Sequence, residues 1–114
     1  MAISYYPVYW NIMKYKIPDG PWGKTLETGR GIRVILTNGK YNLIPGTETL
    51  KLRYKLANGT YGSIDGTLVD GGWNIEIDDL LATAEWRIQA DLELTGEEMT
   101  ISSASFTIPI FKSI

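Results

Sequence analysis

The sequence predicts an all-β protein, an antiparallel β-sandwich of about seven or eight short strands. Three observations lead there. Leu50, Leu52, Tyr54 and Leu56 alternate with Lys51, Arg53 and Lys55; successive strand side chains point to opposite faces, so the apolar set meets a core and the cations meet water. The same two-residue period recurs along the chain, interrupted by Gly, Pro, Asn or Asp roughly every ten residues. No long stretch carries a helical period, and no internal repeat, heptad pattern or low-complexity segment is present.

Taken in order, Tyr6, Val8, Trp10 and Ile12 alternate as one strand would, and Asp19, Gly20, Pro21 and Trp22 read as a turn or irregular loop. Residues 1–30 are therefore expected to form an N-terminal strand or arm and a loop, and residues 31–114 the sandwich, within a single domain. Ile32, Val34 and Leu36 share a face of the next strand, which closes at Asn38 and Gly39. A short extended piece from Tyr41 to Ile44 ends at Pro45 and Gly46. The hairpin of Leu50 to Leu56 with Thr60 to Val69 turns at Asn58 and Gly59, a pair suited to a type I′ turn. After Asp70, Gly71 and Gly72, Trp73, Ile75 and Ile77 form another two-faced strand. Residues 79–85 read as a short turn, with Asp78 or Asp79 able to cap one helical turn. Trp86, Ile88, Ala90, Leu92 and Leu94 alternate again, and Ala104, Phe106, Ile108 and Ile110 share a face of the last strand. Pro109 there suggests a sheet edge, where no ladder donor is needed.

Composition bounds the function. A chain of 114 residues has room for one hydrophobic core without disulfides or metal. Eleven basic and thirteen acidic residues give a formal charge of -2, too balanced for the positive stripe that binds a phosphate backbone, so nucleic acid is not an expected partner. With no cysteine, thiolate nucleophiles and cysteine zinc sites are excluded, and with no histidine the commonest general base, the usual triads and most zinc sites go too. No segment approaches the ~18 consecutive apolar residues of a membrane span, and Met1 to Tyr9 lacks the basic and apolar regions of a signal peptide. A membrane is not an expected partner either.

Carboxylates are the remaining chemistry. Asp78 with Asp79 and Glu97 with Glu98 are adjacent in sequence, but neighbours on a strand face opposite ways and do not converge across a cleft. Asp19, Asp65 and Asp70 each precede a glycine, as ordinary turn residues do, without the spacing of an EF-hand. Gly29, Arg30 and Gly31 lack the helix, lysine and hydroxyl of a phosphate loop. Asn58, Gly59 and Thr60 form a glycosylation sequon that the hairpin turn already explains. No catalytic residue, cofactor or metal is expected. The candidate contact residues are Tyr5, Tyr6, Tyr9 and Trp22, because Tyr and Trp join apolar area to a polar handle and are enriched where proteins meet partners or sugars. Trp10, Trp73 and Trp86 read as core residues of their strands.

Several motifs carry a family resemblance from about Ile32 to Phe111. They are the strand Arg33 to Thr37 with its Asn38-Gly39-Lys40 turn, Asn42-Leu43-Ile44-Pro45-Gly46 leading into Leu50 to Leu56, and Asn58-Gly59-Thr60. Asp70-Gly71-Gly72-Trp73, the strand Trp86 to Leu94 and the closing Ser102-Ser103-Ala104-Ser105-Phe106-Thr107-Ile108 continue the series. In this order the chain resembles the N-terminal domain of baseplate upper proteins of tailed phages that infect Gram-positive bacteria. The resemblance implies an immunoglobulin-like sandwich, a non-enzymatic attachment module in a virion, present as a homo-oligomer or in multiple copies in a particle and bound to other virion proteins at a baseplate, on a capsid or at a head fibre. The aromatic N-terminal arm is then the docking element. The alternative from another class is a carbohydrate-binding module in which Trp22 and the nearby tyrosines stack on host-surface sugars.

Overall fold

Alternating apolar residues force each strand to hide one face, and in the computed structural model, which describes residues 4–20, 22, 30–43, 46–77 and 87–109, two sheets hide those faces against each other. The strands are β1 (Ser4–Asn11), β2 (Arg30–Thr37), β3 (Thr49–Leu56), β4 (Tyr61–Asp65), β5 (Thr67–Val69), β6 (Gly72–Glu76), β7 (Arg87–Thr95), β8 (Thr100–Ser102) and β9 (Phe106–Pro109). One sheet runs β1-β2-β6-β5; the other runs β4-β3-β7-β8, with β9 also on β7. No helix occurs among the described residues. The expected turn at 79–85 and the core position of Trp86 lie outside the described residues, as do Pro45 and Ile110.

The core follows the alternation. Val8, Trp10, Ile32, Val34, Trp73 and Ile75 fill it from the first sheet, and Leu50, Leu52, Ile88, Leu92, Leu94, Phe106 and Ile108 from the second. Cross-strand rows align these groups, Val8 beside Val34 beside Trp73 in one sheet and Ile64 beside Leu52 beside Leu92 in the other.

Two expectations are corrected here. The first is that pairing is antiparallel throughout: β1 pairs with β2 in parallel, from Ser4 against Arg30 to Asn11 against Thr37. The N-terminal segment thus supplies an edge strand of the sandwich, with Val8 and Trp10 in the core, and is no arm added to it. Parallel neighbours need a crossover rather than a tight turn, which is why residues 12–29 separate them. The second concerns the hairpin turn. Among the described residues only glycines have positive φ, so Asn58 does not adopt the conformation a type I′ turn requires. Instead Gly59 N–H donates to Leu56 O (2.9 Å) and Leu56 N–H to Thr60 O (2.8 Å), enclosing residues 57–59 with Gly59 at φ 91°. This is a type I turn followed by a left-handed glycine. Asn58 Oδ1 completes it by accepting the Thr60 N–H at 2.9 Å.

Both open sides of the sandwich are closed. On one side β4 runs into β5 through Gly66 alone, and the chain passes from one sheet to the other there. Gly66 donates to Leu50 O at 2.8 Å, and an added Cβ would lie 3.1 Å from both that oxygen and Trp73 Cβ, so only a glycine turns this corner without displacing its neighbours. On the other side, residues 12–20 and Trp22 bridge β1 and β9. Tyr9 and Asp19 exchange two main-chain hydrogen bonds of 2.8 Å, and Ala104 N–H reaches Lys16 O at 3.3 Å. Trp22 stacks on Phe106 with ring centroids 4.2 Å apart and donates its indole N–H to Pro18 O at 2.7 Å.

Between β8 and β9 the register slips by one residue, from Ser102 against Glu93 to Phe106 against Ala90, which makes residues 103–105 a β-bulge. Buried Ser103 repairs the ladder: its N–H donates to Leu92 O (2.9 Å), and its Oγ accepts the Leu92 N–H (3.0 Å). Replacing Ser103 by alanine strands that buried N–H, and denaturant unfolding should register a loss of about 1–3 kcal/mol. Trp10→Ala should lose about 3–5 kcal/mol in the same assay, a result that a detachable N-terminal arm would not produce.

Candidate functional site

The four aromatic residues predicted as contacts do not converge on one surface. Odd positions of β1 face away from the core, so Tyr5 and Tyr9 lie on the outer face of the β1-β2-β6-β5 sheet. The Tyr5 ring covers Gly31, where an added Cβ would come within 2.7 Å of it. Arg33 stands 5.8 Å from the Tyr5 ring centre, and the Tyr5 hydroxyl donates to Glu76 at 3.4 Å. Burial, then the Glu76 charge, raises the Tyr5 phenol above its ordinary pKa, while Arg33 pulls it the other way. Tyr9 is 41% exposed on the same face. Tyr6 points inward and packs against the core. Trp22 is half-buried at the sandwich side, with one ring face occupied by Phe106.

A run of exposed apolar groups lies instead in the loop after β1. Met13, Tyr15 and Ile17 are 71%, 78% and 48% exposed, and Lys14 and Lys16 separate them. This loop is tied down at several points. Ile12 N–H extends the β2 ladder by donating to Thr37 O (3.1 Å), Asn11 Oδ1 accepts the Met13 N–H (3.0 Å), and Asp19 and Ala104 hold the return. Single exposed apolar side chains are common, but three within five residues on a pinned loop leave an unusual amount of apolar area in water.

The second feature is the outer face of the β4-β3-β7-β8 sheet. There Lys51, Arg53 and Lys55, predicted as a solvated row, stand in register with Glu93, Asp91 and Gln89 of β7. Arg53 binds Asp91 through two bonds, Nε to Oδ1 at 2.8 Å and Nη2 to Oδ2 at 2.7 Å, and also reaches Glu93 at 2.8 Å and Ser102 Oγ at 3.2 Å. The Asp91 hydrogen bond, supported by both carboxylate charges, raises the Arg53 pKa further. Lys51 pairs with Glu93 at 3.2 Å. Lys55 has no carboxylate partner among the described residues and lies 5.3 Å from the ring centre of Tyr61, which is 74% exposed. Beside this cluster is a shallow concavity of about 610 Å³ that includes Lys55, Tyr61, Ser63, Gln89 and Ser105 in its lining.

The carboxylates of the sequence reading do not gather. Asp19, Asp65, Asp70, Glu97 and Glu98 are all exposed, and no group of three or more acidic residues able to hold a metal ion occurs among the described residues. Asp78 and Asp79 lie outside them. The exposed loop and the ionic row were missed in the sequence for different reasons. Met13, Tyr15 and Ile17 are out of phase with the core set Tyr6, Val8, Trp10 and Ile12, and their alternation with Lys14 and Lys16 does not distinguish a strand from an exposed loop. The ionic row needed the pairing of β3 with β7, to which no local pattern points.

Searches against protein-family models, curated proteins and solved structures return no match for this chain.

Two measurements test these surfaces. Removing Arg53 (Arg53→Ala) should lower stability by about 1 kcal/mol, the range of a partly exposed ion pair with good geometry, and the loss should shrink at high salt. Tyr5 should titrate spectrophotometrically above free tyrosine, and Glu76→Gln should bring its midpoint down. Since the fold favours the protonated phenol, its contribution to stability is present below about pH 10 and lost as pH rises beyond.

Proposed function

We propose that this chain is a non-enzymatic structural component of a phage virion, an immunoglobulin-like attachment module that joins one particle component to another. The baseplate, a capsid decoration or the anchor of a head fibre are the positions this reading covers. Its sequence support is a run of turns and strands that resembles the baseplate family, together with a composition lacking histidine and cysteine. The structural observation that carries it is the loop at Met13, Tyr15 and Ile17. A rigid two-sheet body that presents three apolar side chains, with Lys14 and Lys16 between them, suits an adaptor whose partner offers an apolar pocket with an acidic rim. Other virion proteins are then the partners, and many copies act in one particle.

A second reading has its own observation. The concavity beside Lys55, Tyr61 and Gln89 combines an aromatic face with amide, hydroxyl and ammonium groups, the combination that stacks on and hydrogen-bonds a sugar ring. On this reading the sugar contact moves from Trp22 to Tyr61.

The loop test is a triple change, Met13→Ser, Tyr15→Ser and Ile17→Ser. These side chains are exposed, so thermal stability should stay within about 0.5 kcal/mol per site. Incorporation into particles, measured by mass spectrometry of purified virions, should fall by about tenfold or more, as loss of an apolar anchor does. Normal incorporation of the variant rules the attachment surface out. Glycan-array binding abolished by Tyr61→Ala would favour the sugar reading instead.

A further inference from the structure

The geometry points to a homodimer formed by antiparallel pairing of β4 with β4 of a second copy. This inference is independent of the attachment reading and rests on the state of the sheet edges. β4 is the end strand of its sheet. Its ladder with β3 is flanked by the bonds of Leu56 N–H to Thr60 O and of Gly66 N–H to Leu50 O, so the even-numbered residues turn their main chains toward β3. By alternation, the N–H and C=O groups of Tyr61, Ser63 and Asp65 all point outward. None of them has a partner among the described residues, and all three residues are exposed.

The remaining edges are protected. On β1, Tyr9 is already paired with Asp19 on both main-chain groups, and Pro7, two residues away on the same side, has no N–H to offer. β5 has only three residues. β8 and β9 are interrupted by the Ser103 bulge. Such devices blunt an edge against strand addition; β4 has five residues with no proline, bulge or lysine, and its one charge, Asp65, stands at its end.

The occupant is a second copy because β4 complements itself. Pairing about a two-fold axis through Ser63 sets Tyr61 opposite the partner's Asp65 and Ser63 opposite its own equivalent. In that register the outward residues are the hydrogen-bonded positions, so every outward N–H meets an outward carbonyl. On the core side it sets Gly62, which the Tyr54 ring covers, opposite the partner's half-buried Ile64, so that Ile64 meets an aromatic surface. No like charges face each other, whereas a slip by two residues leaves main-chain groups of each copy unmatched. The product is one continuous sheet with five strands from each copy.

Sedimentation velocity of the full chain over its soluble concentration range tests this. The native protein should pass from monomer to dimer, and the amides of Tyr61, Ser63 and Asp65 should gain protection from hydrogen exchange as it does. Ser63→Pro removes an N–H that makes no bond within the monomer, so the circular dichroism spectrum should be retained while dimerisation weakens by about tenfold or more. Ser63→Glu provides a second test, with a carboxylate beside Arg53 in the monomer and like charges across the axis in the dimer. A native protein that stays monomeric, or a folded Ser63→Pro or Ser63→Glu variant that dimerises with native affinity, overturns the inference.

Discussion

Each sheet of this protein carries its fully buried apolar residues on one face, and that face can be hidden only against the other sheet. The rest of the structure answers the openings that this leaves at the two sides. Gly66 closes one by letting a single chain segment pass between sheets, with β4 on one and β5 on the other. The loop after β1 closes the other, where Trp22 lies on Phe106 and Pro18 is buried beneath the indole N–H. Ser103 belongs to the same solution. The bulge it anchors shifts the register so that Phe106 arrives opposite Ala90, and the half-buried Trp22 covers it there.

The outer faces follow a different rule, because water is available and charges need not be paired. Even so, Arg53 is held by two carboxylates and a serine, and the row Lys51, Arg53 and Lys55 is largely matched by the row Glu93, Asp91 and Gln89. A partly exposed pair contributes little stability, but a row of opposite charges penalises any slip of β3 against β7. The apolar faces already demand this register, so the two sides of the sheet agree on one pairing. Lys55 stands apart, beside Tyr61 and an uncharged Gln89, and the concavity opens there.

Three kinds of surface therefore remain for partners, each unsatisfied in its own way. The loop at Met13, Tyr15 and Ile17 exposes apolar area, the β4 edge exposes main-chain donors and acceptors, and the Lys55–Tyr61 corner exposes a cation and an aromatic ring. They suit an apolar pocket, another strand and a polar ligand respectively. Strand pairing at β4 leaves the loop free, so attachment to a particle and self-association do not compete for the same groups.

Much of the architecture could be read from the residues alone, because two-residue alternation is a local property. The strands of Val8 and Trp10, Ile32 to Leu36, Leu50 to Leu56, Trp73 to Ile77 and Ile88 to Leu94 each declared their buried face, and the turns at Asn38-Gly39 and Asn58-Gly59 declared their places. Beyond the hairpin of β3 with β4, which strands are neighbours was not legible, since pairing joins residues far apart in the chain and many pairings satisfy the same alternation. Tertiary structure alone decided that β1 lies parallel to β2, that Gly66 carries the chain between sheets and that β7 sets its acidic row against β3. The same holds for the aromatic residues. Composition singled out Tyr5, Tyr6, Tyr9 and Trp22, but whether a ring covers a glycine, joins the core, meets water or seals a side depends on what packing brings to it, and that is a property of the assembled sheets.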